Sequence, residues 1–275
     1  DARLAVMAAG RKWPSAQFDA QGEASKPSLQ ISDIQKIGLL FARPEVFPFA
    51  KTTIDGIKHV PSSGPVILVA NHRSYFDVFA VAMMVSKTGR TVRFLGKKEV
   101  FDAPVIGPIA TALGGIRVER GTGSDEPLLA ASQALAAGEL VAIMPEGTIP
   151  RGPAFFDPLL KGRWGAARLA KEAKVPIIPL GLWGTENVWP RSSRLPNLLN
   201  VTSPPQITIR VGEALTMNSK SPGPDTKRLM TAISALLPEE SRLKRTPTDE
   251  ELRRSYPSSY KGDPANESKR RPGTD

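Results

Sequence analysis

The chain has no cysteine among its 275 residues. That excludes disulfides, a thiolate nucleophile and any metal centre built on sulfur, and it suits a reducing compartment. Aromatic residues are scarce, at 6%. So few do not make the stacking platform on which single-stranded nucleic acids bind. Zinc-finger spacings, RNP-type aromatic strands and basic heptads are also missing, so nucleic acid is not an expected partner. No run approaches the ~20 apolar residues of a membrane-spanning helix. The most apolar stretch, Val78 to Val85, is short. Gly121-Thr122-Gly123 lacks the spacing of a dinucleotide or P-loop site, and there is no GxSxG elbow. Histidine is limited to His59 and His72. No metal and no bound cofactor are expected.

What is present describes a globular chain, with 40% hydrophobic and 23% charged residues. The net charge is +10, made of +2 over residues 1–60, 0 over 61–150, +5 over 151–240 and +3 over 241–275. The excess is therefore spread. A basic surface of this kind suits anionic substrates or an anionic membrane.

Three regions follow from pattern. Residues 1–50 read as an N-terminal helical segment. Leu29, Ile34, Ile37, Leu40 and Phe41 recur at helical spacing until Pro44, and Val46 to Phe49 follow beside Lys36, Arg43 and Lys51. Packing on the core is the expectation, and contact with a membrane interface is the alternative. Residues 51–240 read as the main domain. Residues 241–275 are polar, rich in Pro, Ser and mixed charge, and from 244 onward are expected to be mostly disordered. The chain begins at Asp1 rather than Met, which leaves a trimmed anchor open.

Within the main domain, strands are expected at 52–57 (an edge), 66–70, 92–95, 116–118, 140–144, 175–182 and 207–211. Helices are expected from Tyr75 to about Lys87, to about Leu113, and at 127–137, 163–174 and 226–237. Strands alternating with helices argue an α/β fold. His59 reads as a surface residue.

Asn71-His72-Arg73-Ser74-Tyr75-Phe76-Asp77 leaves the buried-strand pattern of residues 66–70. Five positions separate His72 from Asp77, so the two cannot meet on one regular helix. The backbone must turn between them. If it does, the carboxylate can take the Nδ1 proton of His72 and leave Nε2 as a base. Ser74-x-x-Asp77 equally fits a helix start, with Ser74 as N-cap and Asp77 at its third position. Polar residues gather at other strand ends: Lys97 and Lys98, Arg117 and Arg120, and Glu146-Gly147-Thr148. Ligand sites in α/β sheets collect there, and paired cations suit a phosphorylated ligand. Taken singly, each has a plainer explanation, as solvated charge, surface ion pair, loop cap or positive-φ glycine.

Taken in order, these blocks resemble the PlsC-type glycerolipid acyltransferases, whose HxxxxD motif is matched by His72 and Asp77. Gly114-Gly115-Ile116-Arg117-Val118-Glu119-Arg120 is similar to the second block, with Arg120 at its arginine. Met144-Pro145-Glu146-Gly147-Thr148-Ile149 resembles the Phe-Pro-Glu-Gly-Thr-Arg block, and Val175-Pro176-Ile177-Ile178-Pro179 the fourth. Gly96 to Glu99 and Lys161-Gly162 also look like family features. Ile149 departs from the family arginine, so either Arg151 takes its place or the headgroup differs.

The resemblance implies a single α/β domain with a central mixed sheet flanked by helices. It implies transfer of an acyl chain from acyl-CoA or acyl-carrier protein to the hydroxyl of lysophosphatidate. Glycerol 3-phosphate or another lysolipid is the alternative acceptor, and a non-catalytic basic membrane-binding module the alternative class. His72 would be the base and Asp77 its orienter. Arg120, with Lys97, Lys98 and Arg117, would hold the phosphate. Glu146, Gly147 and Thr148 would shape the acceptor side, and Val175, Pro176, Ile177 and Pro179 an acyl channel. Backbone N–H groups near Gly147 or at the helix start were the expected oxyanion donors. The expected location is peripheral, on the cytoplasmic face of a membrane.

Overall fold

The computed structural model describes residues 48–102, 110–111, 114–118 and 126–262. Strand β2 (Val66–Ala70) is buried along its whole length. A short β-branched and apolar run with no polar face has to be covered on both sides, as in a parallel sheet. It lies at the centre of seven strands. These are β1 (Lys51–Asp55), β2, β3 (Val92–Lys97), β4 (Ile116–Val118), β5 (Leu140–Ile143), β6 (Ile177–Trp183) and β7 (Gln206–Val211), in the spatial order β1-β7-β6-β2-β5-β3-β4. Among the described strands only the β6–β7 pair is antiparallel, so the sheet is mixed.

Side chains alternate across a strand. Val66, Leu68 and Ala70 enter one apolar layer, with Ala80, Met83, Met84 and Val85 of α1 (Asp77–Ser86). Ile67 and Val69 enter the other layer. There they meet helices α3 (Glu126–Ala136), α4 (Gly165–Ala173) and α6 (Pro222–Leu236) through residues such as Leu135, Leu169 and Ile233. Each fully buried aliphatic side chain stabilises by roughly 1.5–3 kcal/mol. The short helices α2 (Lys98–Asp102), α5 (Thr185–Val188) and α7 (Asp249–Ser255) complete the described elements.

Because β2, β3, β4, β5 and β6 are all parallel, their C-terminal ends share one edge of the sheet. The loops after Ala70, Ile143 and Trp183 therefore converge there, as the site argument requires.

Pro179 sits inside β6, a strand with neighbours on both sides, where proline is normally excluded. Its carbonyl accepts the Gly212 N–H at 2.9 Å, so its nitrogen faces the same side. The β6–β7 ladder begins only at Leu180 and Val211, so no strand bond is lost.

Several expectations change. The first helix begins at Asp77, two residues later than Tyr75. His59 is half-buried, and its Nδ1 meets the Val211 carbonyl at 2.9 Å. The tail is not disordered throughout. Glu239–Arg242 forms a 3-10 turn, and α7 starts with a capping box between Thr248 and Glu251. Polar composition hid a helix held by its cap and by tertiary contact. Residues 1–47 of the expected N-terminal helical segment, and 263–275 of the tail, lie outside the described residues.

Candidate active site

At the end of β2 the chain leaves the sheet through Asn71, which is buried. Its Nδ2 donates to the Leu182 carbonyl at 2.9 Å, and its Oδ1 accepts the Leu182 N–H at 2.8 Å. The side-chain amide thus prolongs the β2–β6 ladder by one rung while the backbone turns away. His72 is the first residue past that rung.

His72 Nδ1 lies 2.8 Å from Asp77 Oδ2. The same oxygen accepts the backbone N–H groups of Arg73 at 2.6 Å and Ser74 at 2.8 Å. Asp77 Oδ1 accepts the Thr185 hydroxyl at 2.6 Å. Four donors therefore converge on one fully buried carboxylate. A carboxylate acting only as acceptor requires the proton on His72 Nδ1. Nε2 then has a free lone pair. Ser74 is not the N-cap: the helix begins at Asp77 with Phe76 in that position and no side-chain cap. The Ser74 Oγ instead accepts the Phe76 N–H at 2.9 Å and donates to the Trp189 carbonyl at 2.6 Å, which holds the turn before the helix.

Glu146 follows β5. The β-turn is closed by Gly147 N–H to Met144 carbonyl at 3.0 Å, with Gly147 at φ 76°. That backbone conformation favours glycine. Glu146 Oε1 accepts the His72 backbone N–H at 2.7 Å. Burial pushes its carboxyl up to about 8. The His72 amide and the Arg73 charge oppose that rise, and the Asp77 charge adds to it. Near neutral pH Glu146 is therefore largely a protonated acid that pins the His72 backbone.

Arg73 has a less expected place. Its guanidinium lies 4.3 Å from the ring centroids of both Phe155 and Trp183. Its Nε and Nη2 reach Glu186 Oε1 at 2.8 and 2.7 Å. Planar stacking, with two guanidinium nitrogens forked onto one carboxylate oxygen, suits Arg and not Lys. His72, Arg73, Glu146, Phe155 and Lys161 line one cleft of about 50 Å³, with room for a few waters.

The remaining expected residues separate into groups. Thr148 is buried behind the turn. Ile149 is buried too, and its carbonyl accepts from Arg191. Arg151, the offered substitute for the family arginine, places its guanidinium 5.0 Å from the Tyr260 ring. Lys97 ends β3 at the active edge, and Lys98 is exposed at the start of α2. Arg117 pairs with Asp102 at 2.8 Å on the surface. Arg120 lies outside the described residues.

Val175, Pro176, Ile177 and Pro179, read from the resemblance as an acyl channel, do not line the cleft. Val175 and Ile177 are core residues at the start of β6, the sheet edge opposite His72. Pro176 is exposed beside them. Of the N–H groups around the site, those of His72, Arg73, Ser74, Asp77 and Gly147 have acceptors within the protein. Sequence reasoning missed Arg73, Phe155, Thr185 and Glu186. Arg73 adjoins His72, but its stack and its Glu186 pair come from distant elements. Thr185 carries no local signal, because only the fold brings it to Asp77.

A family model described as Acyltransferase matches residues 51–183. Residues 51–183 are an acyltransferase-family domain. The matched span runs from β1 to the end of β6, so it holds the whole His72, Asp77 and Glu146 assembly. A chloroplastic 1-acyl-sn-glycerol-3-phosphate acyltransferase of Brassica napus is 30% identical over 160 residues, 57% of this chain and 44% of the relative. A 1-acyl-sn-glycerol-3-phosphate acyltransferase of Chlamydomonas reinhardtii is 30% identical over 186 residues, 66% of this chain and 52% of the relative. An uncharacterized protein of Mycobacterium tuberculosis is 32% identical over 148 residues, 51% of this chain and 39% of the relative. The match spans less than half the length of the first curated relatives, at 44% and 43%. The crystal structure of the 1-acyl-sn-glycerophosphate acyltransferase PlsC from Thermotoga maritima superposes with a TM-score of 0.53 at 19% identity, covering 74% of this chain and 77% of that one. At that identity the likeness is one of fold, and it agrees with the mixed sheet flanked by helices.

Proposed function

We propose that this chain moves a fatty acyl group from a thioester, acyl-CoA or acyl-carrier protein, to the hydroxyl of lysophosphatidate. The observation that carries the reading is the 2.8 Å contact of His72 Nδ1 with a buried Asp77 at the rim of the cleft. It fixes one imidazole nitrogen as donor and leaves the other as base.

In this reading Nε2 takes the acceptor's hydroxyl proton as its oxygen attacks the thioester carbonyl. Asp77 balances the imidazolium that forms. The tetrahedral intermediate collapses, the C–S bond breaks, and the thiolate leaves with the proton held on His72. An ester and a free thiol result, and no enzyme nucleophile is consumed. Cationic side chains are donors for charge on substrate. Arg73 and Lys161 both line the cleft, and their charges suit the acceptor phosphate or the developing oxyanion. Arg120, Lys97 and Lys98 keep their proposed part in holding the phosphate. The named activities of the plant and algal relatives support lysophosphatidate as acceptor. The buried Ile149, where the resemblance led to an arginine, favours a headgroup contact different from theirs.

The test is thiol release from palmitoyl-CoA with lysophosphatidate, glycerol 3-phosphate, a zwitterionic lysolipid or no acceptor. Release that depends on lysophosphatidate is the expected result. Equal release in every arm, or dependence on another acceptor alone, would overturn the assignment.

A further inference from the structure

Leu195, Leu198, Leu199 and Val201 stand exposed within one loop, with Leu199 91% and Leu195 73% accessible. The loop joins α5 to β7. It is not a loose end: the Asn197 N–H donates to the Val188 carbonyl at 2.9 Å, and Trp189 Nε1 donates to the Ser193 carbonyl at 3.2 Å. Trp189 carries the apolar surface onward. Its ring lies 5.6 Å from that of Tyr75 and 6.3 Å from that of Phe79, both also exposed. The patch is therefore continuous with the helix that begins at Asp77.

Topology fixes where this patch faces. β6 ends at Trp183, and β7 starts at Gln206 and runs back antiparallel to it. The connecting loop thus lies at the same sheet edge as His72. Its charge is one-signed. No acidic residue occurs between Glu186 and Glu213, and exposed Arg194 adjoins Leu195.

We propose that this face docks on a lipid bilayer carrying anionic lipid. Leu195, Leu198, Leu199 and Val201 enter the boundary between headgroups and acyl chains, Tyr75 and Phe79 sit at its edge, and Arg194 meets lipid phosphates. Apolar side chains flanked by a cation and free of carboxylates have the composition such interfaces bind. The inference rests on the acyl-transfer reading in one respect. It explains how an acceptor held in a membrane reaches the His72 cleft.

The experiment uses the full chain with phosphatidylcholine vesicles, with and without phosphatidylglycerol. Wild type is expected to co-sediment with the phosphatidylglycerol vesicles. The double variant Leu198→Ser, Leu199→Ser is expected to lose roughly tenfold or more in partitioning. Since the chain has no cysteine, Leu199→Cys takes an environment-sensitive dye at a single thiol. That dye should shift to the blue on vesicles, whereas one on Asn218→Cys, beside the Leu215 bridge at the opposite sheet edge, should not. Partitioning unchanged in the double variant, or a wild type that ignores both vesicles, overturns the proposal. So does a dye at 199 that is already blue-shifted without lipid, which would mean that another part of this chain, or a second copy, covers the loop. Vesicle binding is read without turnover. A chain that docks through this loop yet releases no thiol sinks the acyl-transfer reading and leaves the docking face standing.

Discussion

At the scale of single residues, the site depends on two acids given opposite tasks by their surroundings. Asp77 receives four donors, one of them the His72 ring. Glu146 receives the His72 N–H, and burial pushes its carboxyl up from 4.5 to about 8. A pKa raised on folding means the native state holds a proton that the unfolded chain has lost. The contribution to stability is fully present below about pH 4.5 and is lost as pH climbs towards about 8. Glu146→Gln keeps a carbonyl acceptor for His72 and has no proton to lose. Its melting temperature should therefore fall less than that of wild type between about pH 5 and about pH 9. Parallel melting curves across that range would show that Glu146 is not the titrating group. His72 and Asp77 were legible because their spacing of five demanded a turn. The Asn71 rung, the stacked Arg73 and the Thr185 hydroxyl were not, because each depends on a strand or helix more than a hundred residues away.

At the scale of elements, the C-terminal helix α7 supports the wall of the cleft. The 3-10 turn Gly152–Phe156 supplies Phe155 to the Arg73 stack. Its Gly152 N–H donates to Ser255 Oγ of α7 at 2.8 Å, and Arg245 lies over Phe156 at 5.0 Å. Arg245 also grips Glu251 through two contacts of 2.8 Å. Ser255→Ala leaves a buried donor without its acceptor, so it should cost about 1–3 kcal/mol in urea unfolding. An unchanged midpoint would mean that α7 does not brace the turn. The pattern Thr248-x-x-Glu251 was readable as a capping box. It was outweighed by polar, mixed-charge surroundings, because the bond that ties α7 to the fold, Gly152 N–H to Ser255 Oγ, comes from a turn 103 residues earlier. The β2 strand presents the opposite case. Its apolar run carried its own burial, and it appears where expected.

At the scale of the whole molecule, the parallel strands bring the loops bearing His72, Glu146 and Thr185 to one edge. The turn after β6 shows how tightly this is set. Gly184 has φ 86°, and a Cβ there would lie 2.1 Å from the Gln206 carbonyl oxygen. Gly184→Ala should destabilise by more than ~1 kcal/mol and lower turnover by moving Thr185 off Asp77. Wild-type stability together with wild-type turnover would refute that link. Strand order could not be read from the chain. The alternation of strands and helices specifies an α/β class, whereas the single antiparallel β6–β7 pair depends on how the loop of residues 189–205 returns. The account rests above all on His72 as the base. The deciding measurement is the rate of thiol release from palmitoyl-CoA with lysophosphatidate by wild type and by His72→Ala, with thermal melts to show that both are folded. A folded variant slowed by ~10²–10⁴-fold is the predicted result. A folded variant with near wild-type turnover would contradict the mechanism.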